Sequence, residues 1–221
     1  ASDVYKRQDK GLVWAANLAG LLRRYDPGTG RIDASFAVPV VDTMAIGKDG
    51  SLLMATRDGM FRIPDADAAS PEPPAPVPGT HGHIRAFAVD PDGMILAGID
   101  SALLRIDPAG RLAPEVIQKP IARAPRVVLS VSRDEIWIGS DKDGLQRLFL
   151  SGGKALRMVP VGHPANSSQV FAAVRDTRGW IWIGSDHGVD VWNGRDWRQI
   201  GAQDGLVSDD LNEGSMLADP D

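Results

Sequence analysis

The chain contains no cysteine, which excludes both disulfide staples and thiolate metal centres. No apolar run approaches the roughly 18 residues that a membrane-spanning helix requires. No run of five like charges occurs, and 29 acidic against 24 basic residues leave a net charge of −5. That balance supports neither a nucleic-acid-binding tail nor a polybasic membrane patch. The chain shows no initiator Met and no basic-then-apolar signal segment. Catalytic signatures are missing as well: no Gly-x-Ser-x-Gly, no His-Glu-x-x-His and no Walker-type phosphate loop. What remains is 221 residues, long enough to bury a substantial core.

What is present is a short phrase repeated five times. A turn ending in Gly or Asp leads into an apolar stretch with a large residue, then a small one, then a polar turn. The copies read Gly11-Leu-Val-Trp-Ala-Ala-Asn17, Gly50-Ser-Leu-Leu-Met-Ala-Thr56, Gly93-Met-Ile-Leu-Ala-Gly-Ile99, Asp134-Glu-Ile-Trp-Ile-Gly-Ser140 and Gly179-Trp-Ile-Trp-Ile-Gly-Ser185. Their starts lie 39, 43, 41 and 45 residues apart. A period of about 40–45 residues with some four strands per unit marks β-propeller blades. The predicted fold is therefore all-β: about five blades of four antiparallel strands, forming an open arc of a larger, seven-bladed propeller. The blades fall at roughly 9–38, 39–78, 79–118, 119–161 and 162–203, with a further one starting at 204–221. Asp219-Pro-Asp221 matches Asp90-Pro-Asp92 just before Gly93, so a sixth copy is expected to follow, its inner strand at 211–218. Residues 1–8 fit no column of the repeat, look like a translated adapter leader, and are set aside as non-native.

Two columns run through all five copies. Trp14, Leu53, Leu96, Trp137 and Trp182 are large and apolar; Ala16, Ala55, Gly98, Gly139 and Gly184, two positions on, are small. A large residue seated against a small one on the neighbouring blade would let blades stack face to face. Stacking on a sugar is the functional reading of the tryptophans, but repetition at a fixed phase favours inter-blade core. Arg24, Arg62, Arg105 and Arg147 recur in the third strand and are expected to pair with acidic turn residues at the blade surface. The segment 64–78 carries six of the 16 prolines and reads as an exposed, partly extended loop.

His81, His83 and His163 sit in the links between blades, and His187 in a turn between second and third strands. In an up-and-down blade those two sets of loops emerge at one end of the disc. Asp141, Lys142, Asp143 and Asp186 share it. This loop face is the expected ligand-binding face. No metal site is expected, because no ligand set closes within one blade, and no cofactor is implied.

Asp176-Thr-Arg-Gly-Trp-Ile-Trp-Ile-Gly-Ser-Asp-His-Gly188 and Asp204-Gly-Leu-Val-Ser-Asp-Asp-Leu211 resemble the blade phrase and the blade lead-in of the two-component regulator propeller repeats. The likeness is strong over 170–221, fair in the fourth copy and loose in the first three, where Trp gives way to Leu53 and Leu96. The resemblance implies the periplasmic, sensory part of a bacterial inner-membrane protein, homodimeric, with a cytoplasmic diguanylate cyclase or histidine kinase as output. It implies no catalytic residue in this region. The ligand would be a small molecule, an oligosaccharide or a protein partner, and membrane contact would come only through other segments. Two alternatives from other classes are a propeller enzyme, such as a metal-dependent lyase or lactonase, and a purely structural scaffold.

Overall fold

The computed structural model describes residues 5–9, 11–121, 125–162, 164, 169–212 and 216. It contains five four-stranded antiparallel sheets, each a simple up-and-down meander. The first is Tyr5–Asp9 (β1), Leu12–Asn17 (β2), Leu21–Asp26 (β3) and Arg31–Ala37 (β4). The second is Val41–Ile46 (β5), Leu52–Thr56 (β6), Gly59–Ile63 (β7) and Ala75–Pro76 (β8). The third is Phe87–Val89 (β9), Ile95–Ile99 (β10), Ala102–Ile106 (β11) and Glu115–Gln118 (β12). The fourth is Val127–Ser132 (β13), Glu135–Gly139 (β14), Leu145–Ser151 (β15) and Lys154–Pro160 (β16). The fifth is Val170–Arg175 (β17), Ile181–Ser185 (β18), Gly188–Trp192 (β19) and Trp197–Ile200 (β20), followed by a 3-10 turn at Ala202–Asp204. The chain divides into two compact units: Ala1–Asp100 with Leu104–Val116, and Ser101–Leu103 with Ile117–Asp221.

The repeated phrase is the second strand of each sheet. Gly11, Gly50, Gly93 and Gly179 precede it at φ of 86°, 79°, 84° and 84°, the left-handed region that a side chain disfavours. Successive residues of the strand then face opposite sides. In the first unit Trp14 and Ala16 join Val41, Leu52, Met54 and Ile63 of the second sheet in one buried cluster. Leu53 and Ala55 join Ile95, Ala97 and Ile106 of the third, with Ile84 of the link before it. In the second unit Trp137 joins Val170, Ile181 and Ile183. In these three copies the large and small columns therefore lie side by side on one face, both turned to the following blade. The opposing face of that blade is made by the intervening residues. This corrects the expectation of large against small. The small residue instead makes room for the next inner strand: a Cβ on Gly139 would lie 2.6 Å from Cγ1 of Val170.

Trp14, Leu53, Leu96 and Trp137 are at most 2% exposed. Trp182, expected to match them, is only half-buried: among the described residues its face receives Leu211 and Met216, on Gly184. Leu211 N–H donates to Ser185 O, as Val170 N–H does to Ser140 O and Ile84 N–H to Thr56 O. At these three places the end of a link is thus pinned to the turn of the blade before it. The expected strand at 211–218 falls partly outside the described residues; Leu211, Asn212 and Met216 are not in a strand.

Three further expectations change. Tyr5–Asp9, all but its last residue within the stretch set aside, pairs in register with β2 from Tyr5 opposite Ala16 to Asp9 opposite Leu12. It takes the inner-strand place through backbone bonds, which a polar composition does not prevent. Segment 64–78 is not simply a surface loop. Ala66 and Val77 are 0% and 2% exposed, and Ala75–Pro76 forms β8. Arg24 is 1% exposed rather than at the surface. Its guanidinium donates to Asp33, to Ala66 O at 2.9 Å and to Ala68 O at 2.8 Å, while Trp14 Nε1 donates to Ala66 O at 3.2 Å. A buried guanidinium needs acceptors on every side, and the insert's carbonyls supply them. The other three arginines behave as expected of the column: Arg62 pairs with Asp49, Arg105 with Asp90 and Asp92, and Arg147 with Glu135.

Candidate functional site

Within each sheet the meander carries the second turn and the link to the next blade to the same end, here called the loop end. In the first unit this end is built around the turn after Thr56. Thr56 Oγ1 donates to Gly59 O at 2.8 Å, and Thr80 Oγ1 accepts Met60 N–H at 3.0 Å. These bonds tie link 77–86 to the β6–β7 turn and hold His81 and His83 at the rim, both exposed. His83 Nε2 lies 3.0 Å from Asp42 Oδ2. Asp42 is the extra residue of a β-bulge between Val41 and Thr43. Such a bulge re-aims one side chain out of the ladder. At the corresponding turn of the third sheet, Asp100 adopts φ of 54°, which Asp tolerates better than most residues.

In the second unit the same construction recurs with different chemistry. The bulge of β17 falls between Val170 and Ala172 and singles out Phe171. The Arg126 guanidinium stands 5.6 Å from the Phe171 ring centroid and donates to Asp141 Oδ1. Asp143 N–H donates to Ser140 Oγ at 2.9 Å, which fixes the Asp141-Lys142-Asp143 turn with Lys142 and Asp143 exposed. Asp186 Oδ1 lies 2.8 Å from His187 Nδ1, and Gln199 donates to His187 O at 2.9 Å. His163 lies outside the described residues.

Of the residues expected at the site, the structure brings Asp186 to His187, and it brings His83 to Asp42, which sequence reasoning did not single out. Arg126 and Phe171 were missed too. The available signal was a charge or a bulky ring at the second residue of an otherwise small, apolar inner strand. Among the described residues, no three His, Asp or Glu side chains are grouped so that they could hold a metal ion. No helix is long and apolar enough to cross a membrane among those residues.

The two carboxylates held farthest below their usual range lie at the opposite end of their blades. Hydrogen bonds from the Arg111 side chain, then from the Ala109 and Arg111 N–H groups, lower Asp107 to about 2 against the opposing effect of burial. Burial pushes Asp176 up, but bonds from Arg178, the Trp182 indole and Trp180 N–H outweigh it and bring the carboxyl to about 2. Both are turn-building groups saturated by donors, and neither presents a basic carboxylate to a ligand.

No protein-family model matches the chain, and no curated protein matches it. Among solved structures it is similar to the extracellular domain of a protein assigned to a hybrid two-component system in B. thetaiotaomicron, with a TM-score of 0.68 at 15% identity over 96% of this chain. It is also similar to the computationally designed Ika8 protein, with a TM-score of 0.64 at 14% identity over 95% of this chain. The chain spans 30% of the first of those chains and 63% of the second. At such identities the likeness establishes the fold.

Proposed function

We propose that this chain is a sensory region: a run of propeller blades in the extracytoplasmic part of a bacterial signal-transduction protein, with a diguanylate cyclase or histidine kinase as output. The observation that carries the reading is the similarity of nearly the whole chain to an extracellular two-component domain. The Asp176–Gly188 phrase points the same way from the sequence. The region acts by binding and not by catalysis. A ligand bound at the loop end shifts the balance between two arrangements of the protein by as much as its affinities for them differ. Each unit offers its own recognition side chains: Asp42 and His83 in the first, and Phe171, Arg126 and Asp141 in the second.

The test is a pair of reporters inserted in the Asn193–Asp196 turn of the protein expressed from its own gene. That turn is closed by Asn193 Oδ1 accepting the Arg195 and Asp196 N–H groups and lies at the rim. Alkaline phosphatase, which matures only outside the cytoplasm, should be active there, and a cytoplasm-only reporter silent. The reverse pattern would refute an extracytoplasmic sensor.

A further inference from the structure

Six arginines among the described residues are buried or half-buried: Arg24, Arg62, Arg85, Arg105, Arg126 and Arg147. Five of them take a carboxylate from their own sheet or its turns. Arg24 pairs with Asp33, Arg62 with Asp49, Arg105 with Asp90 and Asp92, Arg126 with Asp141, and Arg147 with Glu135. Arg85 is the exception: it makes no ion pair, hydrogen bond or ring contact with any described residue. A guanidinium carries five N–H donors and stays charged at physiological pH. Partly withdrawn from water and given no acceptor, it is costly to hold.

Arg85 stands at the loop end of the first unit. Ile84 N–H donates to Thr56 O at 2.9 Å, so Arg85 follows one partner of that bond and exposed Arg57 follows the other. Arg57 likewise has no partner among the described residues. The second unit shows what side chains at this place of the repeat do. Phe171 follows Val170, whose N–H is bound to Ser140 O, and leaves the ladder at a bulge. Arg126 precedes Val127 opposite Gly139 as Phe171 precedes Ala172 opposite Gly184, and it reaches Asp141 on the turn of its own sheet. The residue matching Asp141 in the third sheet is Asp100, which follows Ile99 as Asp141 follows Ser140. Only Asp100 and Ser101 separate β10 from β11, whereas 140–144 separate β14 from β15. In that tight turn Asp100 takes a φ of 54° and does not pair with Arg85. Asp42 is engaged elsewhere, 3.0 Å from His83 Nε2.

We propose that Arg85 anchors a binding site for a small organic acid at the loop end of the first unit, with Arg57 adding positive charge at its exposed side. The carboxylate that each of the other five arginines takes from its own sheet is supplied here by the ligand. Its two oxygens match the parallel N–H pair of a guanidinium. Charge agrees with that choice. Around the Ile84–Thr56 bond the chain carries Arg57 and Arg85 against Asp58, with Asp42 and His83 already paired to each other. One positive charge is left over, which suits a carboxylate better than a phosphate carrying nearly two negative charges. The site names the ligand chemistry of the sensory reading and rests on that reading for what binding would signal. The two fail separately, because the reporter pair tests the compartment and an anion titration tests the site.

The test is a nuclear magnetic resonance titration of the nitrogen-labelled chain with sodium acetate. Sodium chloride at matched ionic strength is the control, and sodium phosphate the rival anion. Acetate should shift the Arg85 Nε–H signal and the backbone N–H signals of 56–59 and 83–86 together. The shifts should saturate well below the concentration that moves the exposed Arg31 side chain. Arg85→Gln should weaken acetate binding by about tenfold, the loss of a charge-assisted pair of bonds. Arg85→Lys, which keeps the charge without the paired donors, should fall between the two. The spectrum of each free variant reports whether it folds, and if Arg85→Gln is disturbed, Arg85→Lys carries the comparison. Shifts with acetate no larger than those with chloride would overturn the proposal. So would a folded Arg85 variant that binds acetate as the wild type does, or phosphate binding more tightly than acetate.

Discussion

At position 139 the backbone has no room for a methyl group. A Cβ there would lie 2.6 and 3.0 Å from Val170 and 3.1 Å from Val127, and both valines are buried. Gly139→Ala should therefore cost about 1–3 kcal/mol through overpacking, read as a lower urea midpoint. Gly184→Ala is the control. Its new methyl would meet Met216 Sδ at 3.0 Å and Leu211 Cδ2 at 3.1 Å, the far ends of adaptable side chains, so the loss should stay below about 1 kcal/mol. Asp107 gives a pH prediction with a definite sign. Its folded pKa of about 2 lies below the ordinary 3.8. The stabilisation is fully present above roughly pH 4 and is lost as pH falls toward 2. The stability gap between wild type and Asp107→Asn should accordingly be level above about pH 4 and shrink below it. A gap that widens on acidification would contradict the assignment.

At the scale of elements, the second and third strands were legible because each carries a fixed apolar phase that returns every blade. The insert at 64–78 was not, because its contribution is made by carbonyl groups. Ala66 and Ala68 offer Arg24 two acceptors that no side-chain pattern announces. The loop-end pairs were hidden for a related reason. His83 meets Asp42 across 41 residues of sequence, a contact set by how two blades meet and not by either segment alone. Arg24→Leu tests the insert's role. Losing the charge-assisted bonds and leaving Ala66 O, Ala68 O and the Asp33 carboxylate with fewer donors should cost about 3 kcal/mol. It should also expose 67–76 to protease cleavage in otherwise native conditions. Arg62→Leu, which breaks an ion pair with a half-exposed Asp49, should cost under about 1 kcal/mol and leave the insert protected.

For the whole molecule, the repeat fixed fold class and blade count, while the inner strand of the first blade came from residues that the repeat pattern gave no reason to include. Because blades touch mainly their neighbours, damage should stay local. Hydrogen exchange of Gly139→Val should quicken in β13–β20, with β2–β7 keeping wild-type protection; uniform loss across the chain would show a cooperativity that nearest-neighbour packing does not provide. The backbone bond from the end of a link back to the preceding turn, seen at Ile84, Val170 and Leu211, has a consequence for how such a chain can change over generations. It closes those links at their far ends, so such a link can gain or lose residues without altering the register of the strands beyond it. Closing a longer link adds only a slowly growing entropic cost, about 0.6 kcal/mol per doubling. The loop end can therefore explore new lengths and chemistries while the sheets beneath stay unchanged, and one scaffold can be retuned from ligand to ligand by editing its links alone.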